Sequence, residues 1–206
     1  MDIYFHDLMA FFHVVLFVYA IGGDIAVYYI GNYITKDELP IEERLRVRSM
    51  RFIVDMSART SLVLLLPIGF TLSTAFGSSI DGVLLQGIWG FSLLWLILIW
   101  VVHFKRETKE GEIYRLLDLG IRYILSFALI GLGVFSLFSD FIIQNNWLSL
   151  KITIFGLILM NGIWIRIIVG RMRQSIVMVQ NSDDVDFAEN QIKKEQSTLN
   201  LSLIHI

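Results

Sequence analysis

His6, Met9 and His13 stand at i, i+3 and i+7, a spacing that puts all three on one face of a helix. Two imidazoles and a thioether suit copper(I) or a haem iron. The surrounding stretch includes FFHVVLFVYAIGGDIAVYYI, apolar enough to lie in lipid, with His13 near one end and Asp24 near the other. Further on, Asp55 and Arg59 are one helical turn apart. Lys151 opens another apolar run, and Asn161 lies deeper in it, where an amide needs an interhelical partner. Two candidate sets follow: a cofactor or metal site of His6, Met9, His13 and Lys151, and a buried polar cluster of Asp24, Asp55, Arg59 and Asn161. Each has a plainer reading, since a methionine on a helix face packs and a charge pair clamps two helices.

Such residues need long apolar elements to hold them, and the composition supplies these. Of 206 residues, 55% are hydrophobic and 17% charged, whereas a soluble domain carries roughly 25% charge. Mean hydropathy is +0.65. The excess apolar content belongs in lipid. A net charge of -2, with no basic stripe between aromatics, argues against nucleic acid as a partner. There is no cysteine. Disulfides, cysteine-ligated zinc, thiolate iron–sulfur clusters and covalent c-type haem are thereby excluded.

The expected fold class is all-α, a polytopic bundle of five transmembrane helices near 8–30, 52–75, 83–104, 120–142 and 148–170. Each run can cross a hydrocarbon core of roughly 30 Å. Asp2 and Asp7 stand where a signal peptide has basic residues, so the first span reads as retained rather than cleaved. Residues 1–173 form the membrane domain, and 174–200 read as a polar, mobile cytoplasmic tail. The string LSLIHI at 201–206 matches one reading frame of a common transposon sequencing adapter. It is expected to be an assembly artefact, with a natural tail longer than this one, and His205 is excluded from any site.

Basic residues set the orientation. Lys36, Arg44, Arg46, Arg48 and Arg51 follow the first span; Lys105, Arg106, Lys109 and Arg115 follow the third; Arg171, Arg173, Lys193 and Lys194 follow the fifth. The positive-inside rule then places the N-terminus outside and the C-terminus in the cytoplasm. In the first connection, Thr35 and Glu38 have capping-box spacing and Pro40 suits a first helical turn. A short amphipathic helix is predicted there, running into span two.

Depth follows from the helical rise. His13 lies roughly 7 Å below the outer surface, and Asp24 roughly 9 Å above the inner one. Asp55 and Arg59 lie about 5 and 10 Å from the inner surface. Asp24 and Arg59 thus share a level, which makes them the preferred ion pair. His13 and His103 lie some 20 Å apart by rise and do not share one iron. Arg122 and Arg166, near helix ends, are expected to snorkel to headgroups. Pro67 is expected to kink span two, and Gly69 permits close approach there. No phosphate-binding glycine loop, zinc helix or nucleophile elbow occurs.

The succession FFHVVLFVYAIGGD, RFIVDMSARTSLVLLLPIGF and WLSLKITIFGLI resembles the CopD/HemJ-like group of bacterial membrane proteins over roughly residues 5–170. The matching positions are His13, Pro67 with Gly69, and Lys151. The resemblance implies handling of haem b or copper. HemJ-like chains pair the lysine helix with a further histidine, where this chain has Met160, Asn161 and Gly162, and oxidase activity is not carried over.

Three functions remain open. One is a redox or metal-handling protein with His13 on haem b or copper and Lys151 near a propionate or other anion. The second is a small-solute or proton transporter with Asp24, Asp55 and Arg59 in a cytoplasm-facing cavity. The third is a non-catalytic membrane scaffold. The expected partners are the lipid bilayer and a membrane redox partner or a second copy of the chain.

Overall fold

The computed structural model describes residues 3–36, 38–106, 108–139, 143–180 and 185–204. These are helical throughout apart from short connections. The order is α1 (Ile3–Ile34), α2 (Ile41–Ser73), a 3-10 turn (Thr74–Phe76), α3 (Gly82–Phe104), α4 (Lys109–Phe138), α5 (Asn146–Gln180) and α6 (Val185–Ile204). The first five α-helices are long and apolar enough to cross a membrane, as the hydropathy pattern predicts.

Pro40 precedes α2, and its carbonyl accepts from the amides of Glu43 and Arg44 at 3.1 and 3.2 Å. Glu42 and Glu43 occupy the first turn, where the helix dipole favours acids. The expected capping box does not form. Thr35 instead closes the end of α1, donating to the Asn32 carbonyl at 2.9 Å. The amphipathic segment and span two form one continuous helix with Pro67 inside it. The most apolar window of α2 is 44% buried, against 17% for α1 and for α3. Of these three, α2 is the most buried, while large apolar side chains such as Phe11, Val14, Leu94, Ile124 and Phe127 stay exposed. Exposed apolar surface of this extent suits lipid rather than water.

Several boundaries differ from expectation; α5, for one, runs to Gln180 rather than ending near 170. Helix α4 begins at Lys109 rather than near 120, because Thr108 caps it, accepting from the Gly111 amide at 3.1 Å. Asp118 and Arg122 then lie in the body of the helix rather than at its mouth. The segment 174–200, expected as a mobile tail, is helical over Val185–Ile204. Its Ala188, Ile192 and Leu199 recur at helical spacing and are fully buried, which supplies the apolar face that a disordered tail lacks. Ile206 and His205 lie outside the described residues.

The chain divides into two compact units. Unit 1 holds residues 1–20 and 59–160, and unit 2 holds 21–58 and 161–206. Within unit 1, α4 packs on α5 through small residues. A Cβ on Gly156 would lie 2.8 Å from Ile130 Cγ1 and 3.1 Å from the Ser126 carbonyl, and a Cβ on Gly133 would meet Thr153 Oγ1. Backbones this close are the usual membrane packing mode. Within unit 2, Met172, Ile176 and Ile192 form an apolar cluster with Leu45 and Val179.

Candidate functional site

In unit 1, the first half of α1 turns one face inward. His6, Met9 and His13 are half-buried on it, whereas Phe5, Leu8, Phe11, Phe12 and Val14 are exposed. The helical period thus selects the three candidate ligands for the protein side. His13 points at α2: a Cβ on Gly69 would lie 3.6 Å from its Cε1. A side chain beyond Cβ at position 69 would press on the imidazole. The His13 Nδ1 atom is buried and has no hydrogen-bond partner among the described residues.

Aromatic contacts connect this face to Lys151. The His6 ring meets Phe76 edge-on at 6.4 Å, and Phe76 meets Trp147 edge-on at 5.3 Å. The Lys151 ammonium sits 4.2 Å from the Trp147 ring centroid, a cation–π contact. It also lies within electrostatic reach of His13. The cofactor or metal residues predicted from spacing and resemblance therefore gather at one end of unit 1. Beside them lies an open depression of about 370 Å³ lined by Ile3, His6, Thr74, Ala75 and Phe76.

No group of three His, Asp or Glu side chains able to hold a metal occurs among the described residues. The ligand set on α1 is of another kind, with a thioether in it. Met9 and His13 are one turn apart and can reach a common ion, while His6 and His13 are separated by about 10 Å of helical rise. The chain matches no family model, no curated protein and no solved structure. The chemistry of the site therefore has to be argued from these residues.

The second predicted set is distributed differently. Asp24, Asp55 and Asn161 belong to unit 2 and Arg59 to unit 1. All four are half-buried, and none lacks an interaction partner.

A third site was missed by the sequence reading. On α4, Asp118 is fully buried and Arg122 is 4% exposed. The Arg122 Nε donates to both Asp118 oxygens at 3.3 Å. From α3, the buried Trp95 Nε1 donates to Asp118 Oδ1 at 2.8 Å, and its ring lies 5.3 Å from the Arg122 guanidinium carbon. Arg122 does not snorkel, which corrects the expectation. A carboxylate one turn away holds it in the interior, where both charges are compensated. The signal was present in the sequence. The buried positions of α4 are Gly111, Asp118, Arg122, Ser126, Leu129, Gly133 and Ser136, a polar and small stripe on an otherwise apolar helix.

A fourth polar node lies in unit 2. Arg44, 4% exposed, donates from Nε to the Ile34 carbonyl at 2.7 Å, satisfying a group orphaned at the end of α1. Its Nη1 and Nη2 clasp both oxygens of Glu189 on α6, the second at 2.9 Å. The Asn200 side-chain nitrogen donates to Asn32 Oδ1 at 2.7 Å. Gly31 leaves room for the Gln196 amide, since a Cβ there would lie 2.5 Å from its nitrogen.

Proposed function

We propose that this is a multi-pass protein of the bacterial inner membrane, N-terminus outside, that holds one metal centre, copper(I) or haem b iron, on His13. The observation that carries the reading is the buried, unpartnered Nδ1 of His13 on an inward-facing His6–Met9–His13 face. A buried ring nitrogen costs free energy unless something accepts or donates to it, and a metal ion is a strong partner for a neutral imidazole. Met9, one turn away, supplies a thioether to the same ion. Lys151, held over Trp147, offers a positive group for a propionate or another anion. The resemblance to the CopD/HemJ-like group points to the same two cofactors. The remaining ligand comes from a membrane redox partner or a second copy of the chain.

The test is an absorbance spectrum and metal analysis of the full chain purified after expression with haem and copper supplied. A Soret band, or about one copper per chain, is expected. His13→Ala should abolish it, and Met9→Leu should weaken binding. Absence of both cofactors from the folded protein would refute the reading.

A further inference from the structure

Helix α2 is weakened where it passes His13. Pro67 has no amide proton, so the carbonyl of the buried Val63 loses its helical partner. Beyond it, three hydroxyls turn back onto their own helix. Thr71 donates to the Pro67 carbonyl at 2.8 Å, Ser73 to that of Phe70 at 2.7 Å and Thr74 to that of Thr71 at 2.8 Å. Back-bonding of this kind bends a helix and slightly destabilises it. The stretch then passes into the 3-10 turn and ends at Gly77, whose φ of 81° is left-handed. Its own ladder therefore fixes the direction of residues 67–76 only loosely.

A bond from the neighbouring helix adds what the ladder lacks. The Trp89 Nε1 on α3 donates to Thr71 Oγ1 at 3.0 Å. An indole N–H only donates, and the Thr71 proton is already committed to Pro67, so the contact has one polarity. Gly69 stands about 200° around the helix from both Pro67 and Thr71. It therefore faces the other way, toward α1, where His13 Cε1 would lie 3.6 Å from a Cβ placed on it. Helix α2 is thus held between an indole on one side and the imidazole on the other. A rotation of the 67–71 turn that broke the first contact would carry Gly69 off the second.

We propose that Trp89 is a positioning residue for His13. Through Thr71 and Pro67, its N–H sets the rotation of α2 that presents Gly69 to the imidazole. Cε1 lies between the two ring nitrogens, so whatever seats that atom also sets where both nitrogens point. A metal ligand has to be held within about 0.5 Å of its productive position. Gly69 has no side chain to adjust, and it seats the ring only if its own backbone is held. The use of this placement rests on the metal reading above, whereas the placement itself does not.

Gly69→Ala supplies the probe, since a methyl there stands at ordinary contact distance from the ring. The full chain carrying it is prepared in detergent without haem or copper, with labelled alanine methyls and histidine rings. A nuclear Overhauser peak is expected between the new methyl and the ring proton on His13 Cε1. Adding Trp89→Phe should remove most of that peak, and so should Thr71→Val, which keeps the shape but not the hydroxyl. Thr71→Ser, which keeps the acceptor, should retain it. The indole resonance of Trp95, bonded to Asp118, should stay in place throughout. A full-strength peak after Trp89→Phe or Thr71→Val would overturn the proposal. So would its absence from the starting chain, or a loss after Thr71→Ser as complete as after Thr71→Val. If Trp89→Phe also displaces the Trp95 resonance, the two Thr71 variants decide alone. Native chain expressed with haem and copper tests the use of the placement. Where it is loaded, Trp89→Phe should shift the absorbance band or lower the occupancy, and no change in either would overturn the positioning role. A native chain with no cofactor would refute the metal reading and leave the peak comparison to decide this one.

Discussion

Among the described residues, the Asp118–Arg122 and Arg44–Glu189 pairs do different jobs. In unit 1, Arg122 and Asp118 sit one turn apart on a single helix, and the neighbouring α3 contributes a neutral indole. In unit 2, Arg44 and Glu189 are 145 residues apart in sequence and join the start of α2 to α6. The first pair neutralises a polar patch that the membrane domain already contains. The second is a tertiary fastener, and the same guanidinium also ties down the end of α1. A local pair can form as soon as its helix forms, whereas a distant pair has to be assembled by packing.

The contrast can be broken most strongly at Asp118. Asp118→Ala removes the carboxylate beside the buried Arg122 and should destabilise the protein by about 3–5 kcal/mol. The double variant Asp118→Leu with Arg122→Met should recover most of that loss, because it removes both charges together. Reversible unfolding in detergent, followed by circular dichroism, would check both. If the double variant is as unstable as the single one, the pair does more than compensate charge. Trp95→Phe keeps the packing but deletes the indole donor to a charged acceptor, at a cost of about 1.5–3 kcal/mol in the same assay.

The distant pair should give a smaller and differently placed effect. Glu189 is 16% exposed, so water can partly replace it for Arg44, and Glu189→Ala should cost about 1–3 kcal/mol. Hydrogen exchange should then rise over 185–204 and stay unchanged in α3 and α4. Uniform loosening of the whole chain would show that α6 is not a separately released element.

The smallest effect belongs to an exposed pair. Glu110 accepts from Lys105 at 2.5 Å, and this hydrogen bond, followed by the carboxylate charge, raises the Lys105 pKa above its ordinary value. A raised pKa gives a contribution that is complete below the ordinary lysine range and is lost as pH rises through the higher, folded value. Solvent screening keeps it small. Lys105→Gln should therefore shift Tm little at neutral pH, and variant and parent should converge in strong alkali.

Much of the architecture was legible because the bilayer imposes simple demands. Five apolar runs of about 20 residues require five helices, and α1 to α5 meet that requirement. The inward face of α1 was legible too, since His6, Met9 and His13 share a helical period. Asp118 was overlooked because a hydropathy window places the start of span four at the first long apolar run, and LLDLGIRY looks like a loop ending in an interfacial arginine. The buried stripe of α4 could have shown otherwise, because its small and polar residues repeat every three or four positions. The helicity of the tail was hidden by mean polarity. Only the spacing of Ala188, Ile192 and Leu199 marks it, and such a stripe has no value until something packs against it.

By itself the sequence determined the helical class, the spanning segments and the clustering of candidate ligands on one face. These depend on local periodicity and on transfer of apolar side chains out of water, and each is a property of a short stretch of chain. Only the tertiary structure decided that Arg122 stays inside, that Arg44 reaches Glu189, and that His13 faces Gly69 with its Nδ1 buried. Those outcomes depend on which groups meet, and a buried charge or ring nitrogen is tolerable or costly according to its neighbour rather than its own identity.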